Sequence, residues 1–149
     1  MSGVTDHLMA EPLLIARIED QVPDLRAVLS AADLAGVKAA SQVTPAVHVL
    51  YGGDDVPTRE GDRGWTGKPQ KILQRWMAVV AVRNARTQRT GAAAREDAGP
   101  LLSQLIGALA GFQLDPALGP LKRIPAPQPA YDAGFAYFPT LWTTEFYVP

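Results

Sequence analysis

Residues 74–84 read QRWMAVVAVRN, and this run decides the fold. Laid out with a period of two, Trp76, Ala78, Val80 and Val82 share one side, and Met77, Val79 and Ala81 share the other. A strand that is apolar on both sides belongs in the middle of a sheet, with cover on each face. A helix is the competing reading. Val79, Val80 and Val82 would lose rotamer freedom there, and Arg83-Asn84 ends the run early, so strand is the better assignment. A chain of 149 residues is short of material for two helical layers, which makes another subunit a candidate for the second cover.

Upstream, Thr44 to Tyr51 also alternates, with Val47, Val49 and Tyr51 opposed to His48 and Leu50. Pro45 opens this strand and Gly52-Gly53-Asp54-Asp55 is expected to stop it. Further back, Pro12 suits a first helical turn, Leu14, Ile15, Ile18 and Val22 lie at helical spacing, and Pro23 ends the helix. Asp24 is read as the cap of a second short helix carrying Leu25, Val28 and Leu29. Ser30 and Asp33 form a further capping pair around Leu34. Residues 1–11 have no period and are expected to be a flexible extension ahead of a single domain, 12–149.

Downstream, Asp97 as N-cap and Pro100 in the first turn open a helix whose apolar face is Leu101, Leu102, Leu105, Ile106, Leu109 and Phe112. A second stripe of the same helix is small: Gly99, Ser103, Gly107 and Gly111 recur every four residues. An interior glycine costs about 1 kcal/mol against alanine, which a close approach by the sheet or a neighbour would offset. Residues 115–129 contain five prolines and read as an extended connector. Seven aromatics crowd the last nineteen residues, where Ala133 to Phe138 and Leu141 to Val148 read as two strands separated at Pro139-Thr140. Gly52 to Gly67, with Trp65 as its only large apolar residue, and Ala85 to Arg95 are polar connections expected to be mobile.

The chain has no cysteine, which excludes disulfides and thiolate metal sites and suits a reducing cytoplasm. Its first apolar run is too short for a membrane span or a signal core, so a soluble protein is expected. The net charge of −1 is unevenly spread, with residues 1–58 carrying −5, residues 59–95 carrying +7 and residues 96–149 carrying −3. The bases are scattered, without interleaved aromatics or a groove-reading helix, so a solvated face or a protein interface is a better reading than nucleic acid binding. His7 and His48 have no second ligand or carboxylate at a useful spacing, and Asp54-Asp55 is explained by turn chemistry. No nucleophile elbow, phosphate loop or dinucleotide pattern occurs, so no residue supports an enzyme, a cofactor or a metal.

The order of these signatures carries a resemblance. A helix LLIARIED, a strand PAVHVLYGGD, a glycine-rich gap, the strand QRWMAVVAVRN, a helix AGPLLSQLIGALAGF and an aromatic-rich closing strand resemble the tail terminator (tail completion) proteins of Mu-like and other long-tailed phages and prophages. The likeness covers about Leu13 to Val148. It implies an α+β fold of one domain, a mainly antiparallel sheet of about four strands covered on one face by two or three helices. It also implies a non-enzymatic virion tail protein, assembled in the host cytoplasm as a ring, typically of six copies. Such a ring caps the finished tail tube and joins it to the head, so the implied partners are the chain itself, the tail tube protein and a head-completion or connector protein. Neither a membrane nor sequence-specific nucleic acid is among them. The residues proposed for the subunit or partner interface are Arg83, Arg86, Arg89, Arg95, Trp65, Gly99, Ser103, Gly107 and Gly111. Alternatives are a neck or connector protein of the same particle and, from another class, a small-ligand-binding α/β domain with the C-terminal aromatics lining a pocket.

Overall fold

The computed structural model describes residues 3–39, 43–57, 67–84 and 91–149. Among these the elements run α1 (Ala10–Gln21), β1 (Ala27–Ala31), α2 (Leu34–Ala39), β2 (Ala46–Asp55), β3 (Gln70–Arg83), α3 (Ala92–Leu109), β4 (Lys122–Ile124), β5 (Ala130–Asp132) and β6 (Phe135–Val148). The two-sided apolar run is the heart of β3, which lies between β2 and β6 and is antiparallel to both. Across the sheet the order is β1-β2-β3-β6-β4, with β5 pairing further along the same edge of β6. Only β1 and β2 run parallel. The class is α+β, with six strands instead of about four.

Alternation decides what each face buries. Trp76, Ala78, Val80 and Val82 of β3 join Val47 and Val49 of β2 and Phe138, Trp142 and Phe146 of β6 beneath α1 and α3. Those helices contribute Leu14, Ile18, Leu101, Leu105 and Leu109. Burying each large apolar side chain contributes roughly 1.5–3 kcal/mol, so this face carries most of the stability. On the second face Leu50, Val79, Ala81 and Tyr137 pack with Val37 of α2. That helix has only six residues, and Leu73, Met77 and Leu141 beyond it remain half-buried.

Four local expectations are corrected. Leu25, Val28 and Leu29 do not lie on a helix. Residues 27–31 form β1, where Val28 pairs with Val47 toward the core and Leu29 pairs with His48 on the opposite face. Of the expected capping pair, Asp33 does cap α2, its Oδ1 accepting the Gly36 N–H at 2.7 Å, whereas Ser30 lies within β1 and its hydroxyl donates to Glu11. Gly52-Gly53 does not stop β2. The strand continues to Asp55 through a bulge between Tyr51 and Asp54, where Gly53 adopts φ 83°.

The third correction concerns α3, which starts at Ala92 after Gly91 at φ 67°, well before Asp97, and holds Pro100 inside it. Three successive alanines propagate the helix, and because Glu96 and Pro100 are exposed, water can take the carbonyl that the proline leaves unbonded. The fourth concerns β6, which runs unbroken through Pro139. On its outer edge β5 pairs with Phe135–Tyr137 and β4 with Leu141–Thr143, so Pro139 falls where that edge has no strand to bond.

Candidate subunit and tail interface

One end of the sheet gathers two of the proposed arginines. Arg83 closes β3 with its guanidinium 5.8 Å from the centroid of the Phe135 ring, at the start of β6. Arg95, in the first turns of α3, donates from Nη1 to the Tyr131 hydroxyl at 3.4 Å, and Tyr131 lies on β5. The β5–β6 hairpin therefore links the two cations. Gly91 makes that packing possible: a Cβ there would lie 2.5 Å from Tyr131 Cε1. The hairpin also holds Asp132, which pairs with Lys38 of α2 at 3.5 Å. Arg86, Arg89 and Trp65 lie outside the described residues. Of the two connections expected to be mobile, Gly52–Asp55 is strand and Ala92–Arg95 is helix, while 58–66 and 85–90 also lie outside the described residues.

From Arg95 the exposed side of α3 continues through Gly99, Ser103 and Gly107 to Gly111, all solvent-facing at a spacing of four. A Cβ at Gly99 or Gly107 would meet nothing within 4 Å among the described residues, so no close approach there requires glycine. Gly111 differs from them. At φ 75° it sits just past the helix end, donating its N–H to the Leu121 carbonyl at 2.8 Å, and its backbone needs glycine.

The segment expected as a loose extension lies on the sheet in part. Val4 is buried and donates its N–H to the Tyr147 carbonyl at 2.8 Å, and His7 packs edge-on against Phe146 at 5.4 Å. His7 also has a carboxylate partner that spacing could not reveal, Asp54 Oδ2 at 3.2 Å, carried round to it by the β2 bulge. Asp54 Oδ1 accepts the Tyr51 hydroxyl at 3.2 Å. Partial burial of Tyr51, then the nearby Asp54 charge, push the phenol above its usual pKa. The triad closes one end of the sheet, where all three side chains are at least partly exposed.

Of the C-terminal aromatics, Trp142 and Phe138 are core side chains beneath α1 and α3, whereas Phe146 and Tyr147 border a groove of about 450 Å³ together with Lys71, Gln113, Leu118 and Glu145. The groove beside α3, about 460 Å³, is lined by Asp24, Thr44, Pro45, Val82, Arg83, Asp97, Pro100, Leu101 and Gln104 and contains no aromatic residue. No group of three or more His, Cys, Asp or Glu side chains able to hold a metal ion occurs among the described residues. No described helix is long and apolar enough to cross a membrane. One buried group stands apart, because neither ring nitrogen of the wholly buried His48 has a hydrogen-bond partner among the described residues. Burial lowers its pKa below the ordinary imidazole value.

No curated protein matches the chain. A model of the family described as phage tail terminator protein matches residues 4–149, essentially the whole chain, and the chain belongs to that family. The family is structural and its members are components of the virion tail.

Proposed function

From membership of the phage tail terminator family, we propose that this chain caps the completed tail tube, stops its polymerisation and forms the joint to the head, acting as a ring of six copies. Its partners in this reading are further copies of itself, the tail tube protein and the head-completion protein, and assembly takes place in the host cytoplasm. The observation that carries the reading beyond the family is the exposed line on α3. Two helix-interior glycines, Gly99 and Gly107, face open space among the described residues of the single subunit, and Gly107 costs about 1 kcal/mol against alanine. A neighbour packed closely along that line offsets the cost. Arg83 and Arg95, at the hairpin end of the molecule, are suited to an acidic surface of the tube or of the next copy.

Electron microscopy of the purified protein mixed with isolated tail tubes tests this. A ring at one end of each tube is the expected result. Binding to the head vertex with bare tubes would favour the neck reading, and decoration of neither would contradict both.

A further inference from the structure

The two edges of the sheet differ in a way that fits them to each other. β1, Ala-Val-Leu-Ser-Ala, is the outermost strand on one side and carries no proline and no charge. Its outer backbone groups meet no partner among the described residues. An open edge of this kind is a template for another strand, and proteins ordinarily blunt such edges with lysine, proline or a bulge. The opposite edge has been blunted: β4 is three residues long, lies between Pro120 and Pro125, and carries exposed Lys122 and Arg123. It can still offer three residues to a ladder.

Charge complements this geometry. Beside β1, Glu19 shares a cleft with Ala27 and Val28 and makes no ion pair among the described residues, Glu11 accepts from Ser30 of the strand, and Asp33 lies just beyond it, with Arg26 in the same cleft and Lys38 on the neighbouring α2 as the bases. Lys122 and Arg123 of β4 are likewise without an ion pair there. Direction agrees as well. β1 is parallel to β2, and each later step across the sheet is antiparallel, so β4 runs opposite to β1. A second copy set beside the first in the same orientation therefore brings β4 and β1 together antiparallel, a head-to-tail contact that can repeat and close.

The faces select a register. Leu29 pairs with His48 and Ile124 with Leu141, so both half-buried apolar side chains lie on the second face. Ser30 pairs with Val49 and Arg123 with Trp142, which places both on the helix face. The Ser30 hydroxyl already donates to Glu11 Oε1, so an Arg123 opposite Ser30 would also meet that carboxylate. We propose that successive copies of this chain join edge to edge, β4 of one adding to β1 of the next, with Leu29 opposite Ile124 and Ser30 opposite Arg123. This rests on the ring reading above and adds a strand-edge contact to the packing along α3.

The absence of cysteine gives a clean background for cross-linking. Two single variants, Ser30→Cys and Arg123→Cys, are oxidised with diamide separately and then mixed, at concentrations where native mass spectrometry of the unmodified protein shows rings. Opposed residues of an antiparallel ladder lie within disulfide reach, so a dimer is expected only on mixing. Both substitutions in one chain should give a ladder of cross-linked species. Ala31→Cys with Lys122→Cys, opposed in the same register on the second face, repeats the test without disturbing Glu11. A Ser30→Cys dimer forming alone would overturn the proposal in favour of a two-fold edge contact. Rings that form without either cross-link would overturn the edge contact and leave the ring standing, whereas protein that stays monomeric even on tail tubes would contradict both.

Discussion

Trp76 and Trp142 are cross-strand partners at the middle of the sheet, and each indole N–H is bonded to the side chain two residues earlier in its own strand. Trp76 donates to Gln74 Oε1 at 2.7 Å and Trp142 donates to Thr140 Oγ1 at 2.8 Å. Both acceptors have onward bonds: Gln74 Nε2 donates to the His7 carbonyl and the Thr140 hydroxyl to the Ala78 carbonyl, each at 2.8 Å. The largest side chains of the core are thereby fixed in orientation, and one chain of bonds ties residues 7 and 74 together.

Replacing Thr140 with Val keeps the shape and removes the acceptor, leaving the Trp142 N–H buried and unpaired. A loss of about 1–3 kcal/mol is expected, read as a lower denaturant midpoint with an unchanged slope.

Val80 lies wholly buried between β2 and β6. Val80→Asp places an unpaired carboxylate there at a cost of several kcal/mol, enough to unfold the domain. Circular dichroism should show no cooperative melt.

His48 makes stability depend on pH in a defined direction. Burial holds its folded pKa below the 6.5 of an unfolded histidine. The unfolded chain therefore takes the proton more readily, and the contribution is intact above about pH 6.5 and is lost as the pH falls below it, at up to about 1.4 kcal/mol per pH unit. Between pH 7.5 and 5.5 the melting temperature of His48→Leu should fall less than that of the parent protein.

The α3 line predicts opposite signs for folding and assembly. Gly107→Ala adds a Cβ into open space and should stabilise the single subunit by about 1 kcal/mol while weakening ring formation. Gly111→Ala should destabilise the subunit, since φ 75° strains any side chain. Thermal melts and native mass on the same samples separate the two effects.

The legible parts of this fold were those with a pattern longer than their ambiguity. β3 could be read because seven consecutive apolar residues leave no wet side, and the α3 line could be read because a spacing of four repeats three times. β1 is not legible in the sequence because Leu25, Val28 and Leu29 fit a helical spacing as well as they fit five alternating residues, and only pairing with β2 decides between them. The start of α3 is hidden because Asp97 and Pro100 imitate a helix opening inside a longer helix. The break expected at Pro139 was absent for a non-local reason, the gap between two edge strands. At the candidate interface, the joining of Arg83 and Arg95 by the β5–β6 hairpin and the meeting of His7 with Asp54 depend on contacts between distant segments, which no local spacing records.

Tail length in particles assembled without this chain tests the central claim most directly. Host cells expressing the remaining tail and head genes are examined by electron microscopy with the chain's gene deleted and then restored. Overlong tails lacking heads, returning to a fixed length with heads attached on restoration, is the outcome a terminator requires. Tails of normal, uniform length joined to heads in the deletion would contradict it.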